Sequence, residues 1–327
     1  MLGLVEITPW HWAGFILCVL FFLALDLGLF NRHAHVIKFT EAAAWSALWF
    51  ALALVFAGAM ACGRGREEAI QFTTGYIIEL SLSMDNVFVI ALIFAFFRVP
   101  PQYQHRVLFW GILGALLMRG VMIAAGAALV QRFQWTLYLF GAFLLATGIK
   151  MLVVKEGNVR PERNFFVRCV RKFFPVASEL HGQKFITRLD GRTVLTPLVL
   201  VLLVVETTDL IFALDSIPAI FAVTTKPFIV FTSNVFAILG LRSLYFLLAG
   251  AIGFFRYLKI GLSVVLVFIG VKMLIDPHGR EPKGIQVEIP TSVSLMVVGA
   301  IIVIAIVLSV MVAEREKRTA AGNSPKP

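Results

Sequence analysis

Apolar residues gather into nine runs, at about 10–30, 42–63, 69–97, 106–130, 134–154, 195–224, 228–254, 258–275 and 291–312, separated by polar breaks. At about 1.5 Å per helical residue, each is long enough to cross all or most of a hydrocarbon layer about 30 Å thick. The pattern predicts an all-α polytopic membrane protein with nine transmembrane helices. Only one break, 155–193, is long enough to fold outside the bilayer. Within it, "NFFVRCVRKFF" interleaves Phe165, Phe166, Val170, Phe173 and Phe174 with Arg168, Arg171 and Lys172, as suits a helix lying on an anionic leaflet. The following "KFITRLDGRTVL" sets Asp190-Gly191 between β-forming residues and predicts a short hairpin over 184–195.

Composition agrees with the pattern: 59% of the 327 residues are hydrophobic, 15% are charged and 30 are Phe, which no solvated surface could accommodate. The net charge of +10 would suit nucleic acid, but the basic residues stand at the ends of the apolar runs, where they report topology instead. With the N-terminus outside, inner segments carry nineteen Lys and Arg against six in outer segments. The expected orientation is therefore N-out and C-in. The first run follows a segment without Lys or Arg and reads as a retained helix, not a signal peptide. Cys18, Cys62 and Cys169 form no C-x-x-C pair, so neither a disulfide framework nor a thiolate metal site is indicated.

The runs also repeat. "GILGALLMRG" at 111–120 resembles "FAILGLRS" at 236–243, and "GIKMLV" at 148–153 resembles "GVKMLI" at 270–275, which pairs Arg119 with Arg242 and Lys150 with Lys272. Upstream, Glu79-x5-Asp85-Asn86 matches Asp209-x5-Asp215-Ser216, although Asp85 can also be aligned with Asp209. Each copy holds three spans, an odd number, so the copies should run in opposite directions across the membrane, the inverted-repeat plan of many secondary transporters. The expected organisation is an N-terminal two-helix segment (1–68), a first three-helix repeat (69–154), the inner loop (155–193), a second repeat (194–275), and a ninth helix with a basic tail (276–327).

Charges inside the runs carry the candidate chemistry. Asp26, Glu79, Asp85, Glu206, Asp209 and Asp215 all fall within spans, where hydrocarbon penalises each by roughly 3 kcal/mol. At about 100° per residue, Glu79, Ser83 and Asn86 share one helix face, while Asp85 lies about 120° away. The same spacing separates Asp209 from Asp215. Either each acidic helix uses two faces or it is locally unwound, and Pro218 would ease a break in the second. Asp26 reads as a helix-end partner, and Ser81 as bonded back to its own helix. Arg119, Arg242, Lys150 and Lys272 are candidate charge-pairing partners. Six acids against four bases leave two carboxylates over.

Carboxylate, amide and hydroxyl oxygens suit hard divalent ions such as Mn²⁺, Mg²⁺ or Ca²⁺. All six His lie at or beyond span ends, which argues against a midplane zinc site. No G-x-x-x-x-G-K-[ST] loop occurs, so transport would draw on a gradient, not on nucleotide, and no catalytic or cofactor constellation suggests an enzyme.

The stretches "IELSLSMDNVFV", "ETTDLIFALDSIPAIFAVTT", "TSNVFAILGLRSLYFLLAG" and "GVKMLI" resemble the TerC family of bacterial and plastid membrane proteins, and its Alx-like members most. The resemblance runs from about Asp26 to Ile275. It implies a nine-span protein of the bacterial inner membrane, related to the LysE-type exporters, linked to tellurite resistance by name and to manganese efflux in Alx-like members. The family's acidic motifs map onto Glu79, Ser83, Asp85 and Asn86, and onto Glu206, Asp209, Asp215 and Ser216. Leu80 departs from the Lys often found after the first Glu. Two readings follow. One is an exporter of a divalent cation, Mn²⁺ first, through a carboxylate site made by Glu79, Ser83, Asp85, Asn86, Glu206, Asp209 and Asp215, with protons as the exchanged ion and the lipid bilayer, not nucleic acid, as its surroundings. The other is a non-transporting scaffold or assembly factor whose buried charges hold helices together.

Overall fold

The computed structural model describes residues 7–25, 39–133, 135–153, 168, 172, 174–177, 182–189, 192–248, 256–275 and 289–322. Among them are nine helices: α1 (Pro9–Leu25), α2 (Phe39–Gly63), α3 (Arg66–Phe96), α4 (Pro101–Arg132), α5 (Thr136–Val153), α6 (Pro197–Phe221), α7 (Pro227–Leu248), α8 (Arg256–Ile275) and α9 (Thr291–Gly322). Seven are long and apolar enough to cross a membrane; α1 is apolar but shorter, and α8 is not among the seven. Nine helices thus match the nine apolar runs, while length and composition support seven as full spans. Large apolar side chains such as Leu54, Val55, Leu117, Val121 and Val303 cover the exterior, as a lipid-facing surface requires.

Local signals set the helix ends. Pro101, Pro197 and Pro227 each open a helix, where a missing N–H costs nothing and φ is already helical. At the end of α3, Arg98 takes φ 50°, Arg98 N–H donates to Ala95 O and Val99 N–H to Phe94 O. Val99 and Phe94 share an apolar cluster. These are the two bonds and the hydrophobic contact of a Schellman stop. Both acidic helices are continuous: α3 passes through Asp85 without a break, and α6 passes Pro218 to end at Phe221. Of the two readings offered for the six-residue acidic spacing, the unwound helix is excluded and the two-faced helix holds.

Helix packing follows a reciprocal plan. The most extensive contact joins α5 to α8, followed by α3 with α7 and α2 with α7, while contacts within each group of three consecutive helices are sparse. The α5–α8 seam is antiparallel and exchangeable. A Cβ on Gly148 would lie 3.0 Å from Ser263 O and 2.9 Å from Val267 N; one on Gly270 would lie 2.9 Å from Gly141 O and 2.7 Å from Leu145 N. Adding 122 to the residue numbers of the α5 side of one contact gives the α8 side of the other. Similarly, α3 opposes α6 in reverse, with Gly75 against Ile220, and α4 opposes α7 in reverse, with Gln104 bonded to Tyr245 and Gly120 against Phe231.

Residues 186–195 form the expected hairpin, β1 (Ile186–Leu189) pairing antiparallel with β2 (Arg192–Leu195). Leu189 opposes Arg192, which leaves the two residues 190–191 as the connection. Leu195 exchanges backbone bonds with Pro175 and Ala177, and Thr196 bonds back to Lys184 and Phe185. The Arg106 guanidinium sits 5.6 Å from the centre of the Phe185 ring. The hairpin is therefore seated at one end of α4 and α6. Asp26 and most of the predicted amphipathic helix 165–174 lie outside the described residues.

Candidate functional site

The buried polar side chains sit between two apolar clusters that share α3, α4, α6 and α7. One cluster contains Ile78, Ile123, Ala213, Ile217, Ile220 and Val230. The other contains Val87, Ile90, Val107, Val201, Val205 and Leu241. Along each of these helices the chain runs from one cluster to the other, and the polar residues fall largely in the interval.

Arg119 of α4 is the centre of this layer and is 1% exposed. Its guanidinium grips Asp209 of α6 side-on: Nε donates to Oδ2 at 3.0 Å and Nη2 to Oδ1 at 2.7 Å. Nη1 donates to Glu79 Oε1 of α3 and reaches Ser216 Oγ of α6 at 3.4 Å. Glu79 is fully buried, and Asp209 is 9% exposed. A planar fork holds one carboxylate bidentately while serving a second, a geometry that the point charge of an ammonium does not offer. Two carboxylates against one guanidinium leave an excess negative charge when all are ionised.

Glu206 lies one turn before Asp209 on α6 and enlarges that excess. Its carboxylate fits against the bare backbone of Gly114 on α4, where an added Cβ would overlap it, 2.6 Å from Oε2. Gly114→Ala is expected to force the carboxylate off α4 and lower the melting temperature of the purified protein. Gly120→Ala, whose Cβ would meet only Phe231 at 3.5 Å, serves as the control. In a double-mutant cycle Glu206→Ala should relieve most of the Gly114→Ala loss; equal shifts for Gly114 and Gly120 would show that no such fit matters.

Three further oxygens face inward along α3. Glu79 Oε2, Ser83 Oγ and Asn86 Oδ1 are buried and have no hydrogen-bond partner among the described residues. They occupy the single helix face expected from their spacing. Asp85 is half-buried on another face of α3 and is not among the groups around Arg119. Asp215 is also elsewhere: it faces α5, beside Thr147 and near the positive charge of Lys150. Among the described residues no three of His, Cys, Asp and Glu lie close enough together to hold a metal ion. Six of the seven oxygen donors named from the sequence thus divide among an Arg119-centred group, an α3 face and an α5-facing site, and Asp85 stands apart from all three.

The basic residues divide too. Arg242, the sequence counterpart of Arg119, donates from Nη1 to His105 Nε2 at 3.0 Å, beside the bond from Tyr245 Oη to Gln104 Oε1 at 2.9 Å. Lys272 is buried in α8, whereas its counterpart Lys150 is exposed on α5. Ser81 bonds back to Ile77 O at 2.6 Å, as expected. At the opposite end of α3, Glu68 accepts from Arg64 Nη2 at 3.0 Å and from Lys226 Nζ at 2.7 Å, joining the start of α3 to the α6–α7 connection. Sequence reading missed Gly114, Thr147 and His105. None stands out without a structure, because a glycine, a threonine or a helix-end histidine acquires its meaning from the helix packed against it.

The chain matches the model of the integral membrane protein TerC family over residues 64–317. It is 51% identical to an uncharacterized membrane protein of Myxococcus xanthus, over 98% of this chain and 97% of the relative. It is 46% identical to the putative membrane-bound redox modulator Alx of Escherichia coli strain K12, over 96% and 98%, and 38% identical to an uncharacterized membrane protein of Rickettsia felis, over 92% and 97%. No solved structure matches it.

Proposed function

Starting from a chain that belongs to the TerC family of integral membrane proteins, we propose that it exports a hard divalent cation, Mn²⁺ first, through the polar layer between its two apolar clusters, in exchange for protons. The observation that carries this reading is the Arg119 group itself: two buried carboxylates share one guanidinium, with oxygens of Glu79, Ser83 and Asn86 left without a hydrogen-bond partner among the described residues. A pure packing role would be served better by one acid per base, because each extra buried carboxylate adds desolvation without attraction. An excess of anionic and neutral oxygen in a sealed layer is what a hard cation replaces water with.

Arg119 supplies the counter-charge when the cargo is elsewhere. A cation approaching Glu79 and Asp209 competes with the guanidinium and with protons for the same oxygens, so cation entry and proton release are linked by electrostatics alone. The reversed pairing of α3 with α6, α4 with α7 and α5 with α8 supports two inverted three-helix repeats, and rocking one against the other would open the layer to each side in turn. The remaining carboxylates, Asp85, Glu206 and Asp215, are assigned to the route into and out of the layer. The orientation is N-out and C-in, in the bacterial inner membrane, with α1 and α8 completing nine spans.

Asp209→Asn and Asp85→Asn keep size and most hydrogen bonding while each removes one charge. Both variants should accumulate in the membrane yet lose Mn²⁺ flux into proteoliposomes containing only this protein. Wild-type flux in both would make these carboxylates packing residues, whereas wild-type protein without Mn²⁺ flux would leave the scaffold reading standing.

A further inference from the structure

We propose that Glu206 of α6 carries the exchanged proton, as a group distinct from the two carboxylates held by Arg119. The assignment rests on the transport reading above, which gives Glu206 a place on the route but no task there. The acids of the layer stand in two different conditions. Glu79 and Asp209 have their charge answered by the guanidinium, Asp209 through a bidentate grip. Glu206 is half-buried one turn before Asp209, and no hydrogen bond or ion pair reaches it from any of the described residues.

The helices packed around Glu206 explain the difference. Across the seam α4 offers it only the bare backbone of Gly114, while Arg119, further along α4, is turned to Glu79 and Asp209. From α3, the acid of the layer is Glu79, already on the guanidinium. The base of α5 is Lys150, which lies near Asp215; nine residues on from Glu206, Asp215 points about 180° away on α6. Helices α7 and α8 touch α6 only slightly, and Arg242 of α7 is bound to His105. The charged group that does act on Glu206 is Asp209, and its charge has the same sign.

A carboxylate inside a span sheds the cost of its charge through a counter-charge or through a proton. Glu206 has no base beside it and a like charge one turn away, so in the empty layer it holds the proton. Glu79 Oε2, buried without a hydrogen-bond partner among the described residues, adds negative charge that works the same way. Cargo reverses the balance. A divalent cation drawn to Glu79 and Asp209 sets a double positive charge about one helical turn from Glu206, and a nearby opposite charge favours the ionised form. The O–H bond of Glu206 then breaks, and its proton passes to water on the side from which the cation entered. When the cation leaves on the other side, the carboxylate takes a proton from water there. Cation and proton thus occupy the layer in turn.

The test places the full-length protein in proteoliposomes, with the voltage clamped by K⁺ and valinomycin. It follows the exchange of labelled for unlabelled Mn²⁺ at equal concentrations, and the lumenal pH during net Mn²⁺ uptake. Wild type should show both, the lumen turning alkaline as Mn²⁺ enters. Glu206→Gln, a fixed image of the protonated acid, should still exchange Mn²⁺, more slowly, and should move no protons with it. A glutamine variant that turns the lumen alkaline as wild type does overturns the assignment. So does one that keeps its melting temperature but loses exchange, because Glu206 would then be a ligand of the cation and not a separate proton carrier. If the glutamine variant does not fold, Glu206→Met, of similar length and without charge, is judged by the same two outcomes. Wild-type protein that moves no Mn²⁺ would sink the transport reading and this assignment with it; wild type that moves Mn²⁺ without protons sinks this assignment alone.

Discussion

Arg119→Met should cost the folded protein roughly 3–5 kcal/mol, the range expected when one partner of a buried ion pair is removed and the other charge is left without compensation. Two carboxylates depend on this guanidinium, Glu79 through Nη1 and Asp209 through a bidentate grip. Neither can turn to water, since Glu79 is fully buried and Asp209 nearly so. In thermal unfolding of the detergent-purified protein the single variant should melt far below the wild type. The triple variant Arg119→Met, Glu79→Gln, Asp209→Asn should recover most of the loss, because it removes the charges together. Arg119→Lys should fall between, having one point charge where a fork served two acids. A single Arg119→Met variant as stable as the wild type would mean that the three groups are not coupled as described.

The second large effect belongs to the α5–α8 seam. A Cβ on Gly270 would lie 2.7 Å from Leu145 N, 2.9 Å from Gly141 O and 3.1 Å from Leu145 Cα. All three are backbone atoms, which cannot rotate aside as a side chain would, so the helices must part along their length. Such overpacking costs about 1–3 kcal/mol where side chains can yield, and Gly270→Ala is expected at or beyond the upper end. Gly148→Ala, which meets Val267 and Ser263 in the reciprocal way, should cost a similar amount. The double variant should cost less than the sum, since the first substitution has already opened the seam. Gly58→Ala, with nothing within 4 Å, should be neutral or slightly stabilising through helix propensity. Additive losses at Gly148 and Gly270, measured by the same melting experiment, would show that the two contacts are independent and not one seam.

The seam also explains how far the repeat was readable. "GIKMLV" and "GVKMLI" are alike because each glycine lets a helix backbone approach its partner, so the similarity survives as letters. Arg119 and Arg242 are equally alike as letters, but letters alone do not say that Arg119 meets Glu79 and Asp209 or that Arg242 meets His105.

Sequence by itself determined the helices, the hairpin and the burden of acidic residues inside apolar runs. Those depend on local periodicity, turn chemistry and the cost of charge in hydrocarbon, all of which act over a few residues. It also determined that on a regular helix Glu79, Ser83 and Asn86 share a face about 120° from Asp85, since helical rotation per residue is fixed; only the structure showed that the helix is unbroken there. Only the tertiary structure decided what each face meets: Arg119 between Glu79 and Asp209, Thr147 beside Asp215, Glu206 against the bare backbone of Gly114, and Asn234 buried with no hydrogen-bond partner among the described residues. The partner of a buried polar group is chosen by which helices pack together and at what height. That choice is settled by side chains far apart in the chain, and no local pattern records it.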